Sequence, residues 1–282
     1  MIMKLIENVR DMKEMIQKEK KNGKTIGFVP TMGFLHEGHL SLVREAVKKS
    51  ECSVVSIFVN PAQFGPEEDF SRYPRDEDRD LRLLDKEGVS YAFVPKPQEM
   101  YPRGYRTYVQ VQDMENRLCG ASRPGHFKGV CTVVLKLFHI VQPDTAIFGQ
   151  KDAQQAIILK RMIRDLNLDI VLRIMPIVRD KDGLALSSRN AYLGSEQREA
   201  AVCLYQSLKQ AEQAVKDGER NADLVRSLIQ EKIAGEPLAR MDYAAVVDSE
   251  NLKPLETIQP GQTLLALAVF IGETRLIDNM ML

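Results

Sequence analysis

The feature that most restricts this chain is a short apolar strand, Thr25 to Val29, running through Pro30-Thr31-Met32-Gly33-Phe34-Leu35-His36-Glu37-Gly38-His39 into a helical pattern from about His39. A strand, a glycine-bearing turn and a helix in immediate succession form the repeating unit of a parallel sheet. The helix start points unpaired N–H groups beyond the carboxyl edge of that sheet, where a polyanion such as phosphate is held. Two imidazoles at this junction add donors that can meet negative charge as it grows on a phosphoryl group.

Other readings of the junction are weaker. Gly33 to Leu40 approaches a P-loop, but such a loop needs Lys at 39 and Ser or Thr at 40, where this chain has His39 and Leu40. A zinc site would need third and fourth ligands. The remaining histidines, His126 and His139, lie far along the chain, and Cys52, Cys119, Cys131 and Cys203 are scattered. A plain helix start with two solvated histidines is the bland alternative.

Lysine plus arginine equals aspartate plus glutamate at 39 each, so no global field recruits nucleic acid or an anionic membrane surface. With 282 residues, 44% of them hydrophobic, the chain can bury a large core. Its longest apolar run, Leu264 to Ile271, is too short to cross a bilayer. Met1 to Arg10 lacks the charged head and apolar run of a signal peptide, so the expected compartment is the cytoplasm, which also suits dispersed cysteines.

Periodicity predicts alternating helices and strands: helix Val9–Lys20, strand Thr25–Val29, helix His39–Lys49, strand Ser53–Val59, an exposed helix over Asp76–Glu87, and strand Val89–Val94. A strand-like Thr107–Val111, a long helix ending near Val141, strand Thr145–Phe148, helix Asp152–Leu166 and strand Ile170–Val178 follow. Composition shifts at Asp180. Beyond it come helices Ser195–Lys216 and Ala222–Ala234, then strands Tyr243–Val247, Thr263–Ile271 and Thr274–Ile277. The expected fold is α/β: a Rossmann-like parallel sheet with helices on both faces (residues 1–180) and a smaller C-terminal α+β domain (181–282). The G-x-G-x-x-G of a dinucleotide-binding dehydrogenase is absent.

Further segments fall where strands end. Asn60-Pro61-Ala62-Gln63-Phe64 offers amides that can grip a polar substrate without adding charge. Gly149-Gln150-Lys151-Asp152 puts a cation at a helix start, where the dipole favours anions, a placement understood if Lys151 faces a phosphate; Gln155 lies one turn on. Leu186-Ser187-Ser188-Arg189 supplies two hydroxyls and a guanidinium suited to a triphosphate. Ser122 to Gly129 is a basic, flexible run suited to close over an anion. The loop Asp180–Asn190 reads as a hinge-borne lid with Gly183 as its flexible point.

Together with Arg123-Pro124-Gly125-His126-Phe127, Asp182-Gly183-Leu184-Ala185 and Arg275-Leu276-Ile277-Asp278-Asn279, these runs resemble the pantothenate synthetase (pantoate–β-alanine ligase) family of HxGH nucleotidyltransferases over essentially the whole chain. The resemblance implies ATP-dependent joining of pantoate to β-alanine through a pantoyl adenylate, releasing AMP and pyrophosphate on the route to coenzyme A. It implies His39 as proton donor, with His36 and Lys151 in catalysis. It implies Met32, Gly33, Phe34, Leu35, His36, Glu37, Gly38, His39, Gly149, Gln150, Lys151, Asp152, Val178, Leu186, Ser187, Ser188 and Arg189 as ATP contacts. Gln63 would meet both pantoate and β-alanine and Gln155 pantoate; Asn60 is placed beside them, and Met32, Phe64 and Val134 pack pantoate's methyls. Mg²⁺ accompanies ATP with no protein ligand assigned and no organic prosthetic group, and members of the family are commonly homodimers. The competing reading is an HxGH nucleotidyltransferase acting on another small acceptor; a phosphorylated acceptor would want an Arg/Lys cluster where Asn60, Gln63 and Gln155 stand.

Overall fold

The computed structural model describes residues 3–282, so Met1 and Ile2 of the N-terminal stretch lie outside it. Its strands and helices run β1 (Lys4–Ile6), α1 (Val9–Lys21), β2 (Ile26–Thr31), α2 (Glu37–Lys49), β3 (Cys52–Ile57), α3 (Glu77–Lys86), β4 (Tyr91–Phe93), α4 (Pro97–Met100), α5 (Cys119–Ser122) and α6 (His126–Val141). They continue β5 (Thr145–Gly149), α7 (Ala153–Asp165), β6 (Val171–Met175), α8 (Ser195–Ala200), α9 (Cys203–Lys216), α10 (Ala222–Ala234), β7 (Ala239–Asp248), β8 (Thr263–Ile271) and β9 (Thr274–Met281).

Six strands form a parallel sheet in the order β1-β4-β3-β2-β5-β6. Its apolar strands alternate between two separate cores, as the pleat requires. Phe28, Val54 and Ala146 point to the side packed by α1, α6 and α7, while Val29, Val55 and Ile147 point to the side packed by α2 and α3. The expected parallel sheet with helices on both faces is present.

Strands β7-β8-β9 form a second, antiparallel sheet. Leu265, Leu267, Val269 and Ile271 of β8 pack with α9 and α10, whereas Leu264 and Ala266 join the larger core of the parallel sheet. The uninterrupted apolar run of β8 thus comes from coverage on both faces.

Three local expectations are corrected. Thr107–Val111 forms no strand: β1 occupies the sheet edge beyond β4, and the segment is tied instead by the Val109 N–H donating to Thr132 Oγ1 at 2.9 Å. The helix expected over Ser195–Lys216 is split into α8 and α9 by a turn at Ala201–Val202. Helix α2 starts at Glu37, because the His36 carbonyl already accepts from the His39 and Leu40 N–H groups at 2.8 and 3.0 Å.

Candidate active site

From β2 the chain winds outward through β3 to β4 and later returns to place β5 on the other side of β2. A switch point of this kind leaves a crevice beyond the strands' carboxyl ends. Here it is a cleft of about 210 Å³ that continues into a wider chamber of about 770 Å³ bounded by β8 and β9.

Because α2 begins at Glu37, His36 is its N-cap and His39 lies one turn inside. Their rings lie against each other with centroids 4.0 Å apart and planes tilted by 36°. The His36 backbone N–H donates to His39 Nδ1 at 3.3 Å, which requires that nitrogen to be bare and leaves the proton of the neutral ring on Nε2. Burial, helped by the Lys151 ammonium, pushes the His36 pKa down to about 4. Burial, His36 and Lys151 hold His39 well below its ordinary value. Both rings are therefore neutral donors at neutral pH. The buried His36 Nδ1 has no hydrogen-bond partner among the described residues. Gly38 is required by this contact, since a Cβ there would stand 2.9 Å from the His36 ring.

The turn before the histidines is held from outside. Gly33 has φ +81°, and Phe34 adopts φ +49°, which a residue with a Cβ reaches only at a cost. Asp80 of α3 compensates: its carboxylate accepts from the Phe34 N–H at 2.6 Å and the Leu35 N–H at 2.8 Å. Asp80 is only 1% exposed, so the helix expected to be exposed over Asp76–Glu87 buries one of its carboxylates under the turn. Burial raises the Asp80 pKa against those two bonds. Sequence reading passed over this residue because Asp80 sits in a run of alternating charges; its place on the face shared with buried Leu84 was the available signal.

On the amide side, Gln63, Gln155, Met32, Phe64 and Val134 all line the cleft. Gln63 Nε2 lies 3.1 Å from Met32 Sδ. Asn60 does not reach the cleft. Its amide donates to Gln63 Oε1 at 3.0 Å and the Gly129 carbonyl at 3.2 Å, while its Oδ1 accepts from Tyr101 Oη at 2.8 Å. Asn60 thus orients Gln63 from behind. A Cβ on Gly129 would fall 2.2 Å from the Ala62 carbonyl, which explains the glycine and lets α6 press against this loop. His126, expected only as part of a flexible run, is built in: Nδ1 contacts the Gln63 carbonyl at 2.8 Å and Nε2 the Arg123 guanidinium at 3.2 Å, with Arg123 Nε on Glu68 at 2.8 Å. Nε2 must accept from arginine, so Nδ1 carries the proton and donates.

On the cationic side, Lys151 and Asp152 lie in a tight turn before α7, with Lys151 Nζ 3.6 Å from the Asp152 carboxylate. Gly149, Val178, Leu186, Ser187, Ser188 and Arg189 complete the lining. Arg189 is paired with Asp69 at 2.8 and 2.9 Å, and Ser188 Oγ donates to the Phe34 carbonyl at 3.3 Å. The flexible point expected at Gly183 is instead a close contact: a Cβ there would be 1.9 Å from the Tyr205 ring. The segment Val178–Leu186 folds back on itself, the Leu186 N–H donating to the Val178 carbonyl at 3.0 Å.

Of the residues expected to contact a nucleotide, Met32, His36, Gly38 and His39 line the cleft, whereas Gly33, Phe34, Leu35, Glu37 and Gln150 do not. Leu35 is fully buried, and Glu37 faces outward to pair with Arg44. Gly33, Phe34 and Leu35 shape the turn that presents the histidines.

The family model described as Pantoate-beta-alanine ligase matches residues 4–281. The chain is 55% identical over 280 residues to the pantothenate synthetase of Thermosipho africanus, covering 99% of this chain and 100% of that one. Among solved structures it is similar to the pantothenate synthetase of Thermus thermophilus, with TM-score 0.94, 43% identity and 99% coverage of both chains. It is also similar to the pantoate–β-alanine ligase of Francisella tularensis complexed with β,γ-ATP and β-alanine, with TM-score 0.82, 33% identity and coverage of 99% and 97%. A parallel sheet with the paired histidines at its switch point, and likeness along the full length of these proteins, place one conclusion beyond fold alone: the chain belongs to the pantoate–β-alanine ligase family.

Proposed function

We propose that the cleft performs the family's ligation in two steps. Pantoate's carboxylate attacks the α-phosphorus of ATP, giving pantoyl adenylate and pyrophosphate; the amine of β-alanine then attacks the acyl carbon and AMP leaves. The observation that carries this reading is the division of one cleft into two chemistries. Amides and apolar side chains (Gln63, Gln155, Met32, Phe64, Val134) suit a small hydroxy acid with two methyls, and facing them stand neutral N–H donors and cations suited to a triphosphate.

In this assignment His39, with its proton on Nε2, donates to phosphoryl oxygens as charge develops. His36 and Lys151 share that work, and Ser187, Ser188 and Arg189 clamp the departing pyrophosphate. The Francisella relative, complexed with β,γ-ATP and β-alanine, supports ATP and β-alanine as ligands of this cleft. Asp152, half-exposed, lines the cleft beside Lys151. That fits Mg²⁺ arriving with ATP, held by phosphate oxygens and Asp152, where it would neutralise phosphate charge. Residues 1–180 would form the ATP- and pantoate-binding domain and 181–282 a covering lid, in a cytoplasmic homodimer. No described helix is long and apolar enough to cross a membrane.

The competing nucleotidyltransferase reading requires free cations beside Gln63 for a phosphorylated acceptor. The side chains grouped with Gln63, namely Met32, Phe64, Val134 and Gln155, carry no charge, which favours the uncharged assignment. Incubation with ATP, Mg²⁺, pantoate and β-alanine should yield pantothenate and AMP by mass spectrometry. Labelled pyrophosphate should exchange into ATP with pantoate alone; a strict need for β-alanine in that exchange would overturn the two-step order.

A further inference from the structure

Two consecutive residues of β9 reach the loops that carry the cationic side of the cleft. Asp278, 3% exposed, takes Arg179 in a two-pronged pair at 2.6 and 2.8 Å, and Arg179 in turn donates to the Gly183 carbonyl at 3.0 Å. Asn279, also 3% exposed, donates through Nδ2 to the carbonyls of Gln150 at 2.9 Å and Lys151 at 3.0 Å. Gln150 Nε2 approaches Asn279 Oδ1 at 3.4 Å. Nothing in the reaction needs a side chain from the last strand, yet this amide is buried and spent on the backbone of the turn from which Lys151 projects.

We propose that Asn279 is a positioning residue that fixes the Gly149–Asp152 turn so that the Lys151 ammonium is aimed at the phosphates; this rests on the role given to Lys151 above. The chemistry selects the residue. Two carbonyls must be met by two N–H groups on one short side chain, which a primary amide supplies and a carboxylate or an aliphatic group does not. Lys151 is a long, flexible side chain whose ammonium, among the described residues, is otherwise steadied only by an Asp152 contact at 3.6 Å, so its aim depends on where its backbone is held. The strand that anchors the turn is itself fixed by full-length pairing to β8, from Leu264–Met281 to Ile271–Thr274, so the second sheet sets the placement of the turn that follows β5 of the first.

The test is a double-mutant cycle read by single-turnover adenylate formation, with Asn279→Ser run beside Asn279→Ala in case the alanine variant folds poorly. Asn279→Ala should slow adenylation by about 10- to 100-fold, the order of loss caused by misplacing a reacting or stabilising group by about an ångström. Pantoate affinity, governed by Gln63 and Gln155, should stay within about twofold. In a Lys151→Ala background the same substitution should cost little further rate, because the group it positions is gone. Equal losses with and without Lys151, or unchanged adenylation in both Asn279 variants, would overturn the proposal. Wild-type adenylation by Lys151→Ala alone would instead strike at the role of Lys151 itself, a distinct result.

Discussion

His39 illustrates how a titratable residue is made into a donor of fixed polarity. Its Nδ1 is occupied by the His36 N–H and burial keeps the ring neutral, so a single N–H remains on Nε2, the donor that the proposed function uses. His39→Ala should lower single-turnover adenylation by roughly 100-fold or more, about 3 kcal/mol, with a smaller change in ATP affinity. Near-normal turnover would reduce His39 to a helix-start residue. Gln155 carries the opposite logic, an uncharged group in the cleft that the proposed function sets against the carboxylate of pantoate. Gln155→Glu preserves size but sets carboxylate against carboxylate, so pantoate binding should weaken by roughly tenfold or more, about 1.4 kcal/mol, while ATP binding changes less. Calorimetric titration of each ligand decides it, and equal weakening of both would remove Gln155 from the pantoate site.

At the scale of elements, the histidine turn depends on a helix distant in sequence. The left-handed Phe34 is stabilised by α3 through Asp80, 46 residues away, rather than by local sequence. Asp80→Asn keeps the shape but turns an NH₂ toward one of the two backbone N–H groups, leaving a buried donor unmatched. The expected cost is about 1–3 kcal/mol of stability by denaturant titration, together with slower adenylation, since the turn also orients His36. A variant matching the parent in both would show that the turn holds itself. Strand-to-helix junctions, the long helix of the core and the continuous strands were legible because their periods are local. The burial of Asp80 and the failure of Thr107–Val111 to pair were not, because a run of charges and a β-rich run look alike whether or not a partner is near.

Across the whole molecule, the neutral histidines couple the site to stability. His126 is pushed down to about 4 by burial and the neighbouring Arg123, as His36 is by burial and Lys151. Between the unfolded value near 6.5 and about 4, the unfolded chain binds protons that the folded chain refuses, so stability falls as pH falls through this window. Each such group contributes a slope of up to about 1.4 kcal/mol per pH unit. Chemical denaturation at pH 7 and pH 5 should show this loss, and His126→Gln should flatten it. An unchanged slope in that variant would mean that His126 titrates normally in the fold.

Sequence alone determined the class of sheet and the family resemblance, and it singled out the histidine turn after the first long strand and the two glutamines that line the cleft. Each depends on residues close together in the chain or on runs specific enough to stand without geometry. Tertiary structure decided which of these residues touch the cleft and which hold others in place. Asn60 proved to stand behind Gln63, Gly183 to be packed against Tyr205, and Asp80 and Asn279 to grip backbone far from them in sequence. A side chain's type announces what it can bond; only the packing of elements brings it a particular partner, and with that partner its role.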